Sequence, residues 1–311
     1  MSKKNIILIG GGELLFSTAK NLKKYNLLIL ISNRHAKEKL LNNISLEKNL
    51  KKNDFQFYIL DNVNSRKNKK KYLKKNYYVF CFGPDWIFDD EIVTFYKNRI
   101  YNFNNIPIPK YLGWAHFTWQ ILNQNKESAL FVQKIDKKIN QGDIIYKKKF
   151  KLKLKKNPKP IDYFQENTRL CSKEIINFFR NFIKGNIINE SFKNYYNQRY
   201  YFRKLQTRKD AAINWSWSSN DIVKFCNAFD NPYQGAFSEI NKKKVILKNV
   251  KLFKREKFHP FANGNVLRKV KNKVYVCCFD GILEVSKIIY FKTKKNFLGN
   301  IRDGDEFKNL N

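Results

Sequence analysis

The chain opens on an order of apolar runs that leaves few folds open to it. Ile6 to Ile9 is a short apolar run that ends in Gly10-Gly11-Gly12. Glu13-Leu14-Leu15-Phe16-Ser17-Thr18-Ala19 then has helical character, and Leu27 to Ile31 is a second short apolar run. Strand, glycine turn, helix, strand is the start of a doubly wound parallel sheet, whose strands are buried on both faces and so carry no polar alternation. Phe55 to Leu60 and Tyr77 to Phe82 read as the third and fourth strands, the latter stopped by Gly83-Pro84. Between them, Ser65 to Lys75 is strongly basic and is predicted to be a solvated helix or loop. Ile100 to Phe103 is the next strand. It delivers Asn102 and Asn104 to the carboxyl edge of the sheet, where ligands of open α/β sheets bind.

The middle of the chain predicts a helix over Trp114 to Leu122, a strand over Leu130 to Ile135, and an edge strand over Lys147 to Leu154 with lysines on its outer face. Asn157-Pro158-Lys159-Pro160 reads as a loop. Thr168 to Ile183 has apolar residues at helical spacing and ends at Gly185. Past the tyrosine-rich stretch from Ile188 to Tyr201 the pattern becomes β. Asp221 to Phe229 is one helix, capped by Ser218 or Ser219, and about five strands follow between Gly235 and Ile288. Two of these are joined across Asp280-Gly281, a hairpin signal. Five short strands and a helix suggest a small β-barrel of the OB type. With 311 residues, too many for one core, the expected division is 1–190, a linker at 191–204, and 205–311.

A net charge of +36 would ordinarily point to nucleic acid. Here the excess is spread over the whole chain, and Lys is joined by frequent Asn, Ile, Phe and Tyr, residues with AT-rich codons. Coding bias accounts for such a pattern without selection for binding. Attraction to polyanions follows either way, and specific recognition does not. The five cysteines are scattered, with no CxxC pair, and read as buried reduced thiols rather than a zinc site. No run of about 18 apolar residues is present, so no membrane-spanning helix is expected. The N-terminus lacks a long apolar leader core, which predicts a cytoplasmic protein. The glycine turn does not predict a nicotinamide cofactor. Leu15 stands where the third glycine belongs, and Ser32-Asn33 stands where a ribose-binding acid is needed.

Asn102-Phe103-Asn104, then Ile108-Pro109-Lys110-Tyr111-Leu112-Gly113, then Ile139-Asn140-Gln141-Gly142-Asp143 resemble, in order and spacing, the active-site signature of the folate-dependent formyltransferases. That family carries Asn-x-His-x-x-x-Leu-Pro-x-x-x-Gly followed by Asp-x-Gly-Asp. The second half of the chain agrees. Tyr201-Phe202-Arg203-Lys204-Leu205, Ile213-Asn214-Trp215 and Asn231-Pro232-Tyr233-Gln234-Gly235-Ala236-Phe237 resemble consecutive signatures of the family's C-terminal domain. The resemblance implies the formyltransferase fold: an α/β Rossmann-like doubly wound parallel sheet followed by a small OB-like β-barrel domain. It also implies transfer of a formyl group from 10-formyltetrahydrofolate to a primary amine, either a nucleotide-linked amino sugar or methionyl-tRNA. The short passage from Ile31 into helical sequence at Ser32-Asn33-Arg34 lacks the long basic loop with which the tRNA enzymes hold their acceptor, and favours the small amine.

By the same resemblance, Asn102 supplies the hydrogen bond to the developing oxyanion. Asn104 stands where the family has its proton-shuttling His, and Asn140 where it has the Asp that tunes that His. Neither amide titrates. General acid–base help is worth ~10²–10⁴-fold, so two readings stay open: another group has taken over the proton, or the chain binds folate or acceptor without useful turnover. The nearest alternative base is His116, which otherwise reads as a helix-start histidine with a solvent-facing ring. Gly83, Pro84, Trp86, Ile87 and Phe88 occupy the stretch where the family lays the pterin, with Pro109, Gly142 and Asp143 completing the expected donor site. A nucleic-acid-binding barrel domain rests on charge alone.

Overall fold

The computed structural model describes residues 4–113, 115–137 and 142–310. In chain order the elements are β1 (Asn5–Gly10), α1 (Gly12–Asn21), β2 (Asn26–Ser32), α2 (Asn33–Lys37), α3 (Leu46–Lys52), β3 (Phe57–Leu60), α4 (Arg66–Tyr72), β4 (Tyr77–Phe82), α5 (Asp90–Phe95) and β5 (Ile100–Asn104). Then come β6 (Leu112–Gly113), α6 (His116–Leu122), β7 (Glu127–Lys134), β8 (Ile144–Lys151), α7 (Pro160–Ile183), β9 (Tyr201–Phe202), α8 (Thr207–Asp210) and α9 (Ser219–Ala228). The last are β10 (Ala236–Ile240), β11 (Lys243–Lys254), β12 (Val266–Val270), β13 (Lys273–Cys278), β14 (Gly281–Tyr290) and β15 (Phe307–Lys308). They form two compact units, one from Met1–Lys110, Glu127–Lys151 and Asn167–Tyr200, the other from Tyr111–Lys126, Leu152–Glu166 and Tyr201–Asn311.

The first unit is built on a seven-stranded sheet of order β3-β2-β1-β4-β5-β7-β8. β1 to β5 are parallel, as the apolar runs of β1, β2 and β4 predict, while β7 and β8 pair antiparallel on the far side of β5. Alternate residues bury opposite faces. Leu8, Phe80 and Phe103 pack beneath Leu15 of α1 and Phe178 of α7. Ile9, Cys81 and Ile100 pack with Tyr72 and the α5 residue Ile92 on the other side. Strand order reverses between β1 and β4, which opens a crevice at their carboxyl ends. The chain turns there at Gly10, with φ of 125° and no room for a side chain, since a Cβ would lie 2.1 Å from the Phe82 carbonyl oxygen.

Short polar residues start the helices. Ser32, Ser45, Ser65 and Asp89 accept backbone N–H bonds at the N-termini of α2, α3, α4 and α5. The basic Ser65 to Lys75 stretch is not wholly solvated. Lys69 is 8 % exposed, and its ammonium is held at 2.5 Å by both Asp89 and Glu91. α7 begins eight residues before the expected Thr168. Pro160 has no N–H to lose and fits a first helical turn, and Asp162 Oδ2 accepts from the Lys159 N–H at 2.8 Å.

The second unit holds a six-stranded sheet of order β12-β13-β14-β11-β10-β15, with all pairings antiparallel. Its two ends meet. Val266 N–H donates to Asp305 O at 2.7 Å, Phe307 N–H to Gly264 O at 2.9 Å and Gly304 N–H to Val266 O at 2.9 Å. The sheet therefore closes on itself, leaving no long unpaired edge. The β13–β14 turn is Phe279-Asp280, one residue earlier than expected: Cys278 already pairs with Gly281, and Asp280 is drawn aside by the Ser219 N–H and by Arg255. Two earlier segments, Tyr111–Lys126 and Leu152–Glu166, belong to this unit. Thr118 of α6 donates to Ala228 O at 3.1 Å, Lys159 pairs with the buried Asp230 at 2.6 Å, and Ile161 N–H donates to Asn231 O at 3.1 Å. A single cut at residues 191–204 separates these segments from the residues they pack against. No helix among the described residues is long and apolar enough to cross a membrane.

Candidate active site

β5 and β7 run antiparallel with Asn102 directly opposite Gln133 and Asn104 opposite Phe131. Residues two apart on a strand share a face, as do residues directly opposite one another. Asn102, Asn104 and Gln133 therefore converge at the carboxyl end of β5, on the face that carries Ile100. Asn102 Nδ2 donates to Asn104 Oδ1 at 3.0 Å, and Asn104 Nδ2 donates to Gln133 Oε1 at 2.7 Å. Gln133 Nε2 then donates to the Gly142 carbonyl at 3.2 Å.

Gly142 reaches Gln133 because the chain turns back into β8 directly against β7. Lys134 N–H donates to Asp143 O at 2.9 Å, and Lys134 Nζ lies 3.6 Å from the Asp143 carboxylate. The approach is so close that a Cβ on residue 142 would stand 1.8 Å from the Lys134 carbonyl oxygen. Asp143 thus braces the β7–β8 return.

Asn102 and Gln133 line a cavity of about 250 Å³ with Pro84, Trp86, Ile87, Phe88 and residues 134–137. Gly83, at φ of 55°, turns the chain out of β4 into this wall. Trp86 is fixed by its indole N–H on Asp61 O at 3.2 Å, whereas Ile87 is 70 % exposed. The wall is clasped from the end of β2. Arg34 grips the Asp85 carboxylate with Nε at 2.8 Å and with Nη2, and Ser32 donates to its other oxygen. Burial pushes the Asp85 pKa up, but the bonds from Arg34 and Ser32 outweigh it and hold the carboxyl below its ordinary value.

The remaining expected positions fall as follows. Pro109 follows a cis peptide bond from Ile108, and its carbonyl accepts the Tyr200 N–H at 3.4 Å. His116 belongs to the second unit, where it starts α6. Its ring is not solvent-facing at Nε2, which is buried without a hydrogen-bond partner, and burial lowers its pKa to about 4. Asn140 lies outside the described residues. All five cysteines are buried and free. Gln133 was not among the expected site residues. A glutamine inside the apolar run Leu130-Phe131-Val132 was the available signal, since a buried amide needs partners to be tolerated.

Residues 206–298 match the family described as formyl transferase, C-terminal domain. The chain is 29% identical over 222 residues to the bifunctional polymyxin resistance protein ArnA of Wigglesworthia glossinidia brevipalpis, covering 68% of this chain and 32% of that one. It is 22% identical over 228 residues to methionyl-tRNA formyltransferase of Finegoldia magna, covering 70% and 67% of the two chains. Residues 206–298 thus match a formyl transferase C-terminal domain, and the chain as a whole is similar to formyltransferases. The solved N-formyltransferase from Helicobacter canadensis, in complex with folinic acid and dTDP-3-aminofucose, superposes with a TM-score of 0.64 over 91% of the present chain and 98% of its own, at 20% identity. The ArnA match thus spans about a third of that relative's length. The Helicobacter canadensis structure shares the fold described above, a largely parallel central sheet with a second, antiparallel sheet.

Proposed function

We propose that the protein transfers a formyl group from 10-formyltetrahydrofolate to a primary amine. The observation that carries this reading is Asn102, an amide fixed at the carboxyl end of β5 on the wall of an aromatic-lined cavity. Attack of the amine nitrogen on the formyl carbon places negative charge on the formyl oxygen. An N–H held ready for that oxygen lowers the barrier. The new C–N bond forms, the donor's C–N bond breaks, and the amine proton ends on the donor nitrogen. The residues present suit the donor: Trp86, Phe88 and Ile87 offer flat apolar surface for a pterin.

A nucleotide-linked amino sugar is the acceptor this chain supports best. Ser32 is both the last residue of β2 and the N-cap of α2, so no extended basic loop stands between them to hold a tRNA. A second reading has its own observation. The relay from Asn102 through Gln133 contains no titratable group, which suits a protein that binds the donor and acceptor without rapid transfer.

Incubation with 10-formyltetrahydrofolate and a panel of amines, including nucleotide-linked amino sugars and methionyl-tRNA, tests both by release of tetrahydrofolate. Turnover is expected with an amino sugar, and Asn102→Ala should lower it by ~10²–10³-fold. Tight donor binding without turnover selects the second reading. Absence of donor binding sinks both.

A further inference from the structure

We propose that Gln133 is a positioning residue of the transfer site, an inference that rests on the formyl-transfer reading above. Side-chain amides have two unlike ends, one that donates and one that accepts. The relay ends at the Gly142 carbonyl, which can only accept. Gln133 must therefore turn Nε2 towards Gly142 and Oε1 towards Asn104. Asn104 in turn presents Oδ1 to Asn102, and Asn102 commits one Nδ2 hydrogen to it. Reversing any one amide would set donor against donor or acceptor against acceptor. The backbone carbonyl of a glycine that tolerates no other residue thus sets the orientation of Asn102 through three bonds.

What remains at the end of the relay is an Asn102 with one uncommitted Nδ2 hydrogen and a buried Oδ1 that has no partner. The hydrogen serves the developing oxyanion. The oxygen is turned away from solvent into the protein. An asparagine free to flip would present the hydrogen in the right place only part of the time. Gln133 is 2 % exposed and has both polar ends engaged, so it acts through Asn104 rather than on the substrate. The charged groups at this end of the cavity are Lys134 with Asp143, Lys137 with Asp90, and Asp136. None of them stands in the relay.

Two variants and two readouts test this. Gln133→Leu keeps the size and removes both ends; kcat should fall about 10²-fold, while folinic acid affinity, read from Trp fluorescence, stays within about twofold, short of the tenfold that marks 1.4 kcal/mol. Gln133→Glu can satisfy both Asn104 and Gly142 only when protonated. Its kcat should be low at pH 8 and recover as the pH falls, a limb the wild type lacks. The relay itself is read without turnover from the side-chain amide resonances of Asn102 and Asn104, which should both shift in Gln133→Leu. Unshifted resonances, or a Gln133→Leu enzyme with unchanged kcat, would overturn the proposal. Should the wild-type protein turn over no amine while the resonances shift as expected, the formyl-transfer reading fails and the relay stands as the scaffold of a binding site.

Discussion

A histidine nitrogen buried without a partner favours the neutral ring, because the imidazolium would lose its hydration with nothing in exchange. His116 is such a residue, with burial carrying its pKa down to about 4. Its ring is a weak base at pH 7, poorly placed on the pKa scale for general base work. An NMR titration should show the His116 ring resonances flat from pH 8 to 5 and moving only near pH 4. Movement centred at 6.5 would show an ordinary hydrated ring. Sequence could locate His116, Asn102 and Asn104 but not their state. Alternation puts Asn102 and Asn104 on one strand face. Only the pairing of β5 with β7 adds Gln133, from a position 31 residues beyond Asn102. That register is a long-range fact, and a glutamine in an apolar run reports only that some partner must exist.

At the scale of elements, the segment after β4 owes its place to a contact from the end of β2. The Arg34–Asp85 clasp sits between Pro84 and Trp86, both of which line the cavity. Arg34→Ala should leave Asp85 with the Ser32 hydroxyl and the His35 ring at 3.6 Å, and loosen the aromatic wall. The expected outcome is a folinic acid affinity weaker by about tenfold, or 1.4 kcal/mol, with the unfolding midpoint almost unchanged, because Arg34 is largely exposed. An affinity equal to wild type would show that the wall holds itself. Gly142→Ala should act oppositely, on stability first. Its Cβ meets backbone, so the β7–β8 return must open, at a cost of ~1–3 kcal/mol or more. Urea denaturation measures it, and an unchanged midpoint would mean the return is not tight. The strands β1, β2 and β4 were legible because largely buried strands write continuous apolar runs. α7 was legible only from Thr168 onward, because its first two turns lie beside a proline-rich stretch that reads as loop until Pro160 is recognised as a helix-starting position.

For the whole molecule, one buried histidine and one half-buried histidine with a buried Nε2 make acid stability the informative measurement. His35 and His116 both have pKa values below the ordinary 6.5, in each case with burial as the largest cause, joined for His35 by the neighbouring Arg34. Below pH 6.5 the unfolded chain takes up protons that the folded chain refuses, so stability falls as the pH drops. For His116 the loss accrues between 6.5 and about 4 and amounts to about 3 kcal/mol at most. The urea midpoint should therefore be lower at pH 4.5 than at pH 7, with the difference reduced in His116→Gln. Equal midpoints would contradict the buried neutral state. The two-part organisation was visible in the change from α/β to β patterning. The exchange of segments 111–126 and 152–166 into the second unit was not, because partners such as Thr118 and Ala228 are 110 residues apart and share no local pattern.

The closing seam of the second unit also sets an order of events during synthesis. Residues 304–307 supply the bonds that join the β12 end of the sheet to the β15 end. A ribosome that has released everything up to residue 303 has released an open sheet, with the rows around Gly264 and Val266 still unmatched. The barrel can close only after residues 304–307 have been made, 38 or more residues after the Gly264–Val266 rows they complete. For this protein the two-residue strand β15 is a latch, and the β12 end of the sheet stays open until that latch is in place.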